Sequence, residues 1–253
     1  MRILLAAALL AVPLLWQGPA RAAEVRVLTS GAFRPVVLTL APEFERRTGD
    51  TVAVSTDTAG GVLRRVEEGE AFDLVVLTSA GLAELAAKGR VAAGTALDLA
   101  KSGIGVAVRV GAPRPDIGSV DAFRRALLDA PSIAYIDPAA GGSSGIAVAR
   151  LLQRLGVADA VRGKTVLVRG GLVAERVASG EAALGVQQIS ELLAAPGVAL
   201  VGPLPGEVQT YTSYAGGVGA AARQPGAARA LLALLGGEPA RRVLAEKGLE
   251  PPG

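Results

Sequence analysis

From residue 24 to the C-terminus, short apolar and β-branched runs alternate with stretches whose apolar positions recur every three or four residues. The runs predict strands at 25–28, 52–55, 74–77, 104–110, 133–136, 165–168, 184–186 and 198–201, and an extended segment at 208–218. The periodic stretches predict helices at 35–48, 62–68, 80–88, 146–155, 173–178, 226–235 and 239–247. Pro35 can open the first of these and Gly49 can stop it. In the helix at 146–155, Val148, Leu151, Leu152 and Leu155 share one face. The unbroken apolar run at 74–77 suits a sheet covered on both sides. Strand and helix alternating along the whole chain imply an α/β fold with largely parallel sheets.

A Gly- and Pro-containing break at 111–115 separates two such series. The segments at 104–110 and 208–218 are expected to be the two crossings between them. The expected layout is a first lobe of residues 24–104 and 212–253, a second lobe of 105–211, a two-strand hinge and a central cleft. Two lobes of about 100 residues each match the usual size of a domain.

The first residues stand apart. Met1 and Arg2 precede an apolar run from Ile3 to Trp16, followed by Ala20-Arg21-Ala22-Ala23, a small-residue pattern suited to signal peptidase. Residues 1–23 therefore read as a cleaved secretory peptide. The competing reading, a retained membrane anchor, needs ~20 apolar residues, more than this run supplies. Loss of Arg2 and Arg21 reduces 26 basic residues to 24 against 23 acidic, so the formal charge falls from +3 to +1. A near-neutral mature chain with 3% aromatic residues argues against nucleic acid as a partner. No cysteine means no disulfide, no thiolate chemistry and no lipoprotein anchor. No histidine removes the imidazole triads and, with no cysteine, the commonest metal ligand sets, so neither a metal nor a cofactor is expected. A monomer free in the periplasm is the expected form.

Three glycine- and hydroxyl-rich turns each follow an expected strand and precede an expected helix: Thr29-Ser30-Gly31-Ala32, Thr58-Ala59-Gly60-Gly61 and Gly141-Gly142-Ser143-Ser144-Gly145. Such turns leave helix-initial N–H groups free beside hydroxyl donors, at the helix end whose dipole favours an anion. One such turn alone would be an ordinary linker, but three in matching topological places point to an anion site. Open α/β sheets bind ligands at the carboxyl ends of their strands, so turns from both lobes would face one cleft. The candidate ligand-binding residues are Thr29, Ser30, Gly31, Ala32, Arg34, Thr58, Ala59 and Gly60 from the first lobe. Gly142, Ser143, Ser144, Gly171 and Gln188 complete the set from the second. Asp57 would repel an anion, so it is expected to cap a helix or face away.

The stretch VRVLTSGAFRPVVLTLAPEFERRTGDTVAVSTDTAGGVLRRVEEGEAFDLVVL resembles the opening of periplasmic molybdate-binding proteins. SIAYIDPAAGGSSGIAVARLLQRLG and VASGEAALGVQQISELL keep that family's rhythm, so the likeness spans nearly the whole mature chain. It implies a type II periplasmic binding protein that delivers a small anion to the permease of an ABC importer. The ligand positions differ from the family's pattern. Ala32 stands where those proteins carry a serine, Thr58 and Ala59 where they carry serines, and Gln188 where they carry a tyrosine.

Arg34 lies at the start of the first helix, where the molybdate pattern is neutral. A guanidinium fork matches a carboxylate bidentately, and charge-assisted pairs of this kind are the stronger ones. A carboxylate-bearing ligand is therefore one reading of Arg34; a surface residue, or a partner for a carboxylate of the other lobe, is the plainer one. The "GAxRP" turn also resembles a periplasmic aconitate isomerase of the same fold, an enzyme that moves a proton within an allylic tricarboxylate. Without histidine or cysteine its acid–base group would have to be Tyr135, Glu175, Tyr211, Tyr214 or a similar side chain. A binding protein for an oxyanion or polycarboxylate is the leading expectation, and the isomerase is the alternative. A purely structural envelope protein would explain the leader but not the aligned turns.

Overall fold

The computed structural model describes residues 22–253; the expected secretory peptide lies almost wholly outside the described residues. The first half of the fold comprises β1 (Glu24–Ser30), α1 (Arg34–Thr48), β2 (Thr51–Asp57), α2 (Ala59–Glu67), β3 (Leu74–Thr78), α3 (Ser79–Ala87) and β4 (Leu97–Arg109). There follow α4 (Val120–Asp129), β5 (Ile133–Ile136), α5 (Ser143–Arg154), α6 (Ala158–Arg162), β6 (Thr165–Val168), α7 (Val173–Ala178), β7 (Leu184–Gln188) and α8 (Ile189–Leu192). The chain ends with β8 (Val198–Pro203), β9 (Tyr211–Val218), α9 (Pro225–Gly236) and α10 (Glu238–Glu246).

The strands run β2-β1-β3-β9-β4-β7-β5-β6, with β8 also on β4. β4 serves two sheets. Its residues 97–103 pair with β9, whereas residues from Ile104 onward pair with β7 and β8. The segment expected at 104–110 is thus the second half of a 13-residue strand. The sheets are mixed, not largely parallel: among the described residues four strand pairings are parallel and four antiparallel. All four antiparallel pairings involve β4 or β9, because strands that cross between lobes run against the parallel core of each βαβ unit. Only Tyr211–Val218 of the expected extended segment is strand; a single 3₁₀ turn, Gly206–Val208, precedes it.

Alternation within the strands accounts for the first lobe. Val25, Val27, Leu74 and Val76 pack with Val36, Val37, Leu40 and Phe44 of α1 and Leu231 and Leu235 of α9. Leu28, Val75 and Leu77 point to the other face, against Val62, Val66, Leu82 and Leu85 of α2 and α3. A sheet covered on both faces needs the nearly unbroken apolar strands that the sequence carries. α1 ends where Gly49, at φ 79°, takes the left-handed C-cap conformation and donates to the Glu45 carbonyl at 2.9 Å. The second lobe packs Phe123 and Leu127 of α4 with Val148, Leu151 and Leu152 of α5 and with Ile133 and Val186. The pattern reading did not predict α4, although Ser119 caps it by accepting from Ala122 N at 3.1 Å.

Two amides tie the crossings. Gln209 accepts from Ile104 N and donates to Ile104 O, both at 2.9 Å, pinning the return crossing to the point where β4 changes partners. The Gln188 amide donates to the carbonyls of Ser102 and Gly103, both at 3.1 Å, and accepts from Thr212 Oγ1 at 2.9 Å.

Candidate functional site

A cleft of about 470 Å³ opens between the lobes. The first-lobe side is built by the 3₁₀ turn Gly31–Phe33, the start of α1 and the turn between β2 and α2; the second-lobe side by the starts of α5 and α7 and by α8. Ten of the sequence-based candidates line it: Ser30, Gly31, Ala32, Arg34, Thr58, Ala59, Gly142, Ser143, Ser144 and Gly171. Three do not. Thr29 is fully buried and its hydroxyl donates to Ser30 O at 3.1 Å. Gly60 spends its amide on the Gly141 carbonyl at 2.9 Å, and Gln188 spends its side chain on the crossing strands. A larger groove, about 790 Å³, lies on the second lobe around α4 and the break at 111–115. Only second-lobe residues line it and it meets none of the three turns, so it is not the inter-lobe site.

The cleft holds donors without protein partners. Ser30 Oγ and Thr56 Oγ1 are buried and make no hydrogen bond, although both residues line the cleft. An unpaired buried hydroxyl costs free energy, which a ligand accepting from it would recover. α5 starts at the cleft with Gly142 as N-cap and no side-chain cap, leaving its first amides without a capping side chain. The Arg34 guanidinium makes no ion pair and no hydrogen bond among the described residues, and the residue is exposed at the rim of the cleft; this fits the plainer surface reading, while a carboxylate partner in the other lobe is not found. Asp57 lines the cleft but turns into its own turn: Oδ1 accepts from Thr58 N at 2.7 Å, and Arg65 lies 3.9 Å from Oδ2.

The sequence reading missed Glu191. It lies in the first turn of α8, past the carboxyl end of β7, and lines the cleft. The residue keeps partial exposure, but its carboxyl turns inward and Oε1 occupies the space that a Cβ on Gly31 would fill. Burial pushes this carboxyl up to about 8, with the Gln187 side chain acting in the opposite direction. Tyr214 of β9 lines the same cleft and is almost fully buried. Burial and then the Glu191 charge raise its phenol, with the Ser143 and Thr212 side chains acting in the opposite direction, so the phenol keeps its proton. Of the other acid–base candidates, Glu175 lines the cleft. Tyr135 lies in a separate 180 Å³ pocket beside Leu152 and Val161, and Tyr211 is half exposed with Lys101 Nζ 5.1 Å from its ring centre. The signal that could have found Glu191 is positional: it follows the strand end where ligands of open α/β sheets bind.

Two α/β lobes around a donor-lined cleft define a solute-binding-protein fold. The chain belongs to the family of bacterial extracellular solute-binding proteins, which it matches over residues 25–250. It is 37% identical over 231 residues to an aconitate isomerase of a Pseudomonas species, a match that covers 89% of this chain and 87% of that protein. Among solved structures it resembles the periplasmic molybdate-binding protein of Azotobacter vinelandii, with TM-score 0.74 and 18% identity over 90% of this chain and all of that one. It also resembles the sulfate-binding protein of Mycobacterium tuberculosis, with TM-score 0.70 and 18% identity over 90% of this chain and 87% of that one. At such identities the two structures share the fold alone.

Proposed function

We propose that this chain is a periplasmic enzyme that shifts the double bond of a small unsaturated polycarboxylate of the aconitate type. The observation that carries this reading is the Glu191 carboxyl, enclosed in a cleft that also holds Arg34, unpaired hydroxyls and an uncapped helix start. A receptor for an oxyanion could use a carboxyl there only as a protonated donor, whereas a proton-transfer enzyme needs a group that both takes and returns a proton. Its position near 8 places it where one group can serve as base and then as acid around neutral pH.

In the proposed reaction the Glu191 carboxylate removes a proton from the methylene of cis-aconitate. The electron pair spreads over the allylic carbons and the adjacent carboxylates. The same carboxyl then returns the proton to the former vinyl carbon, and the double bond has moved by one position. One C–H bond breaks and one forms, with no water, oxidant or cofactor consumed. Arg34 clamps one ligand carboxylate, the α5 amides and the Ser30 and Thr56 hydroxyls hold another, and the Tyr214 phenol donates to the charge that develops. Export through the leader at 1–23 and a monomeric state complete this reading. The lobes divide at 24–104 with 212–253 and at 105–211, and they hinge at 104–110 and 208–218, a division supported by the change of strand partner after Gly103.

A second reading is a transport receptor that hands an oxyanion or polycarboxylate to an ABC importer. It is favoured by the family and by the molybdate- and sulfate-binding neighbours. Incubating the purified mature protein with cis-aconitate and following the cis/trans ratio by proton NMR separates the two: conversion supports the enzyme. Aconitate binding without conversion, or molybdate binding alone, supports the receptor.

A further inference from the structure

Gly31 and Glu191 belong to different lobes. Gly31 ends β1 of the first sheet, and Glu191 follows β7 of the second. Yet α8, which carries Glu191, is docked on first-lobe chain at two points. Ile189 and Leu193 close over Gly248, where a Cβ would come within 2.6 Å of Ile189 Cγ2 and 2.8 Å of Leu193 Cδ1. The Glu191 carboxyl closes over Gly31 in the same way, with Oε1 in the space of the missing Cβ. Gly31 has no positive φ, so its backbone conformation does not demand glycine; the room for the carboxyl does. Around the carboxyl stand Tyr214 from β9, Gln187 from β7 and the Gly31 turn.

We infer that Gly31 is a positioning residue: the notch left by its missing side chain seats the Glu191 carboxyl across the lobe boundary, so that proton transfer is possible only when both lobes meet at that notch. This rests on the reading of Glu191 as the acid–base group. A glycine whose amide merely cradles the ligand would tolerate a methyl group on the side facing Glu191. A seat would not.

The test compares wild type with Gly31→Ala and, independently, Glu191→Asp, whose shorter side chain cannot reach the seat. For both variants kcat for cis-aconitate should fall about 100-fold, as for a catalytic group displaced by about 1 Å. The dissociation constant for citrate, a non-reacting tricarboxylate probe, should rise by a smaller factor than kcat falls. The Glu191 titration, followed by carbon-13 NMR of glutamate-labelled protein, should move down by at least one unit in Gly31→Ala as the carboxyl returns to water. An unchanged Glu191 titration in Gly31→Ala overturns the seat, whatever happens to kcat. Equal losses of citrate affinity and kcat overturn it as well, since they report a damaged binding site. If wild type fails to isomerise aconitate, the function reading falls, but the titration comparison still decides whether the seat exists.

Discussion

Gly60 and Gly141 meet between the lobes, next to the cleft-lining Ala59 and Gly142: a Cβ placed on either would stand 2.9 Å from the Cα of the other, and the Gly60 amide donates to Gly141 O at 2.9 Å. Beside them Thr58 Oγ1 donates to the Ala140 carbonyl at 2.6 Å while accepting from Gly61 N at 3.0 Å. One hydroxyl therefore caps α2 and bridges to the other lobe. Such backbone contact is available only to glycine, and at Gly141 a φ of 75° excludes most other residues as well.

Gly141→Ala should accordingly hold the lips apart. Ligand affinity should drop about tenfold or more, equivalent to about 1.4 kcal/mol or more. Small-angle scattering of the liganded variant should give a larger radius of gyration than liganded wild type. Equal radii and affinities would show that the contact does not govern closure.

Arg34→Ala removes the one guanidinium that, among the described residues, lines the cleft without a side-chain partner. A hydrogen bond to a charged group contributes about 1.5–3 kcal/mol, so citrate or aconitate should bind roughly 10- to 150-fold more weakly. Calorimetry reads this directly. Molybdate, if it binds at all, should lose much less.

Glu191→Gln should leave ligand binding and remove isomerisation by at least about 10²-fold. The same variant also tests the ionisation. A native carboxyl held near 8, against an ordinary value of 4.5, retains its proton where the unfolded chain releases it, so wild-type stability declines as pH rises from 4.5 to about 8. Glutamine, being neutral, escapes that decline. The variant should melt higher than wild type at pH 9 and close to it at pH 5, and equal melting shifts at both pH values would contradict a raised carboxyl.

Asp73 is fully buried at the start of β3 and accepts from Arg223 N at 2.6 Å, Arg26 N at 2.9 Å and Gln224 N at 3.0 Å, tying the approach to α9 onto the first sheet. Burial alone would raise this carboxyl, but the three amides and Arg26 outweigh it and hold it below the usual range. Its contribution is present above about 3.8 and is lost as pH falls through the lower native value. Asp73→Ala should cost about 3 kcal/mol, or about 6–12 °C in melting temperature at neutral pH, with the difference from wild type shrinking in acid.

Most of the fold is legible in sequence because periodicity reports burial. Strands 133–136 and 165–168 and helix 173–178 fall where the apolar pattern puts them. α4 escaped because a polar, proline-broken loop precedes it, and the mixed sheets escaped because strand direction depends on which lobe a crossing strand enters, a long-range fact. At the site, the turns that carry Ser30, Thr58 and Ser143 were visible as local chemistry. Glu191 was not, because one carboxylate in a helix reads as a solvated side chain until the fold turns it toward Gly31. Gln188 failed to reach the cleft for the converse reason: its amide is consumed by Ser102, Gly103 and Thr212, partners 24 or more residues away in sequence.

The central claim is that the cleft performs an allylic proton shift through Glu191. The direct measurement is proton NMR of cis-aconitate in deuterated water with wild type and with Glu191→Gln, alongside thermal shift, in which a ligand at 100 times its dissociation constant adds ~2.7 kcal/mol. Wild type should convert cis- to trans-aconitate, while Glu191→Gln is stabilised by aconitate yet converts it at least about 10²-fold more slowly. Wild type that leaves cis-aconitate unchanged, or that is stabilised by molybdate and not by aconitate, contradicts the claim.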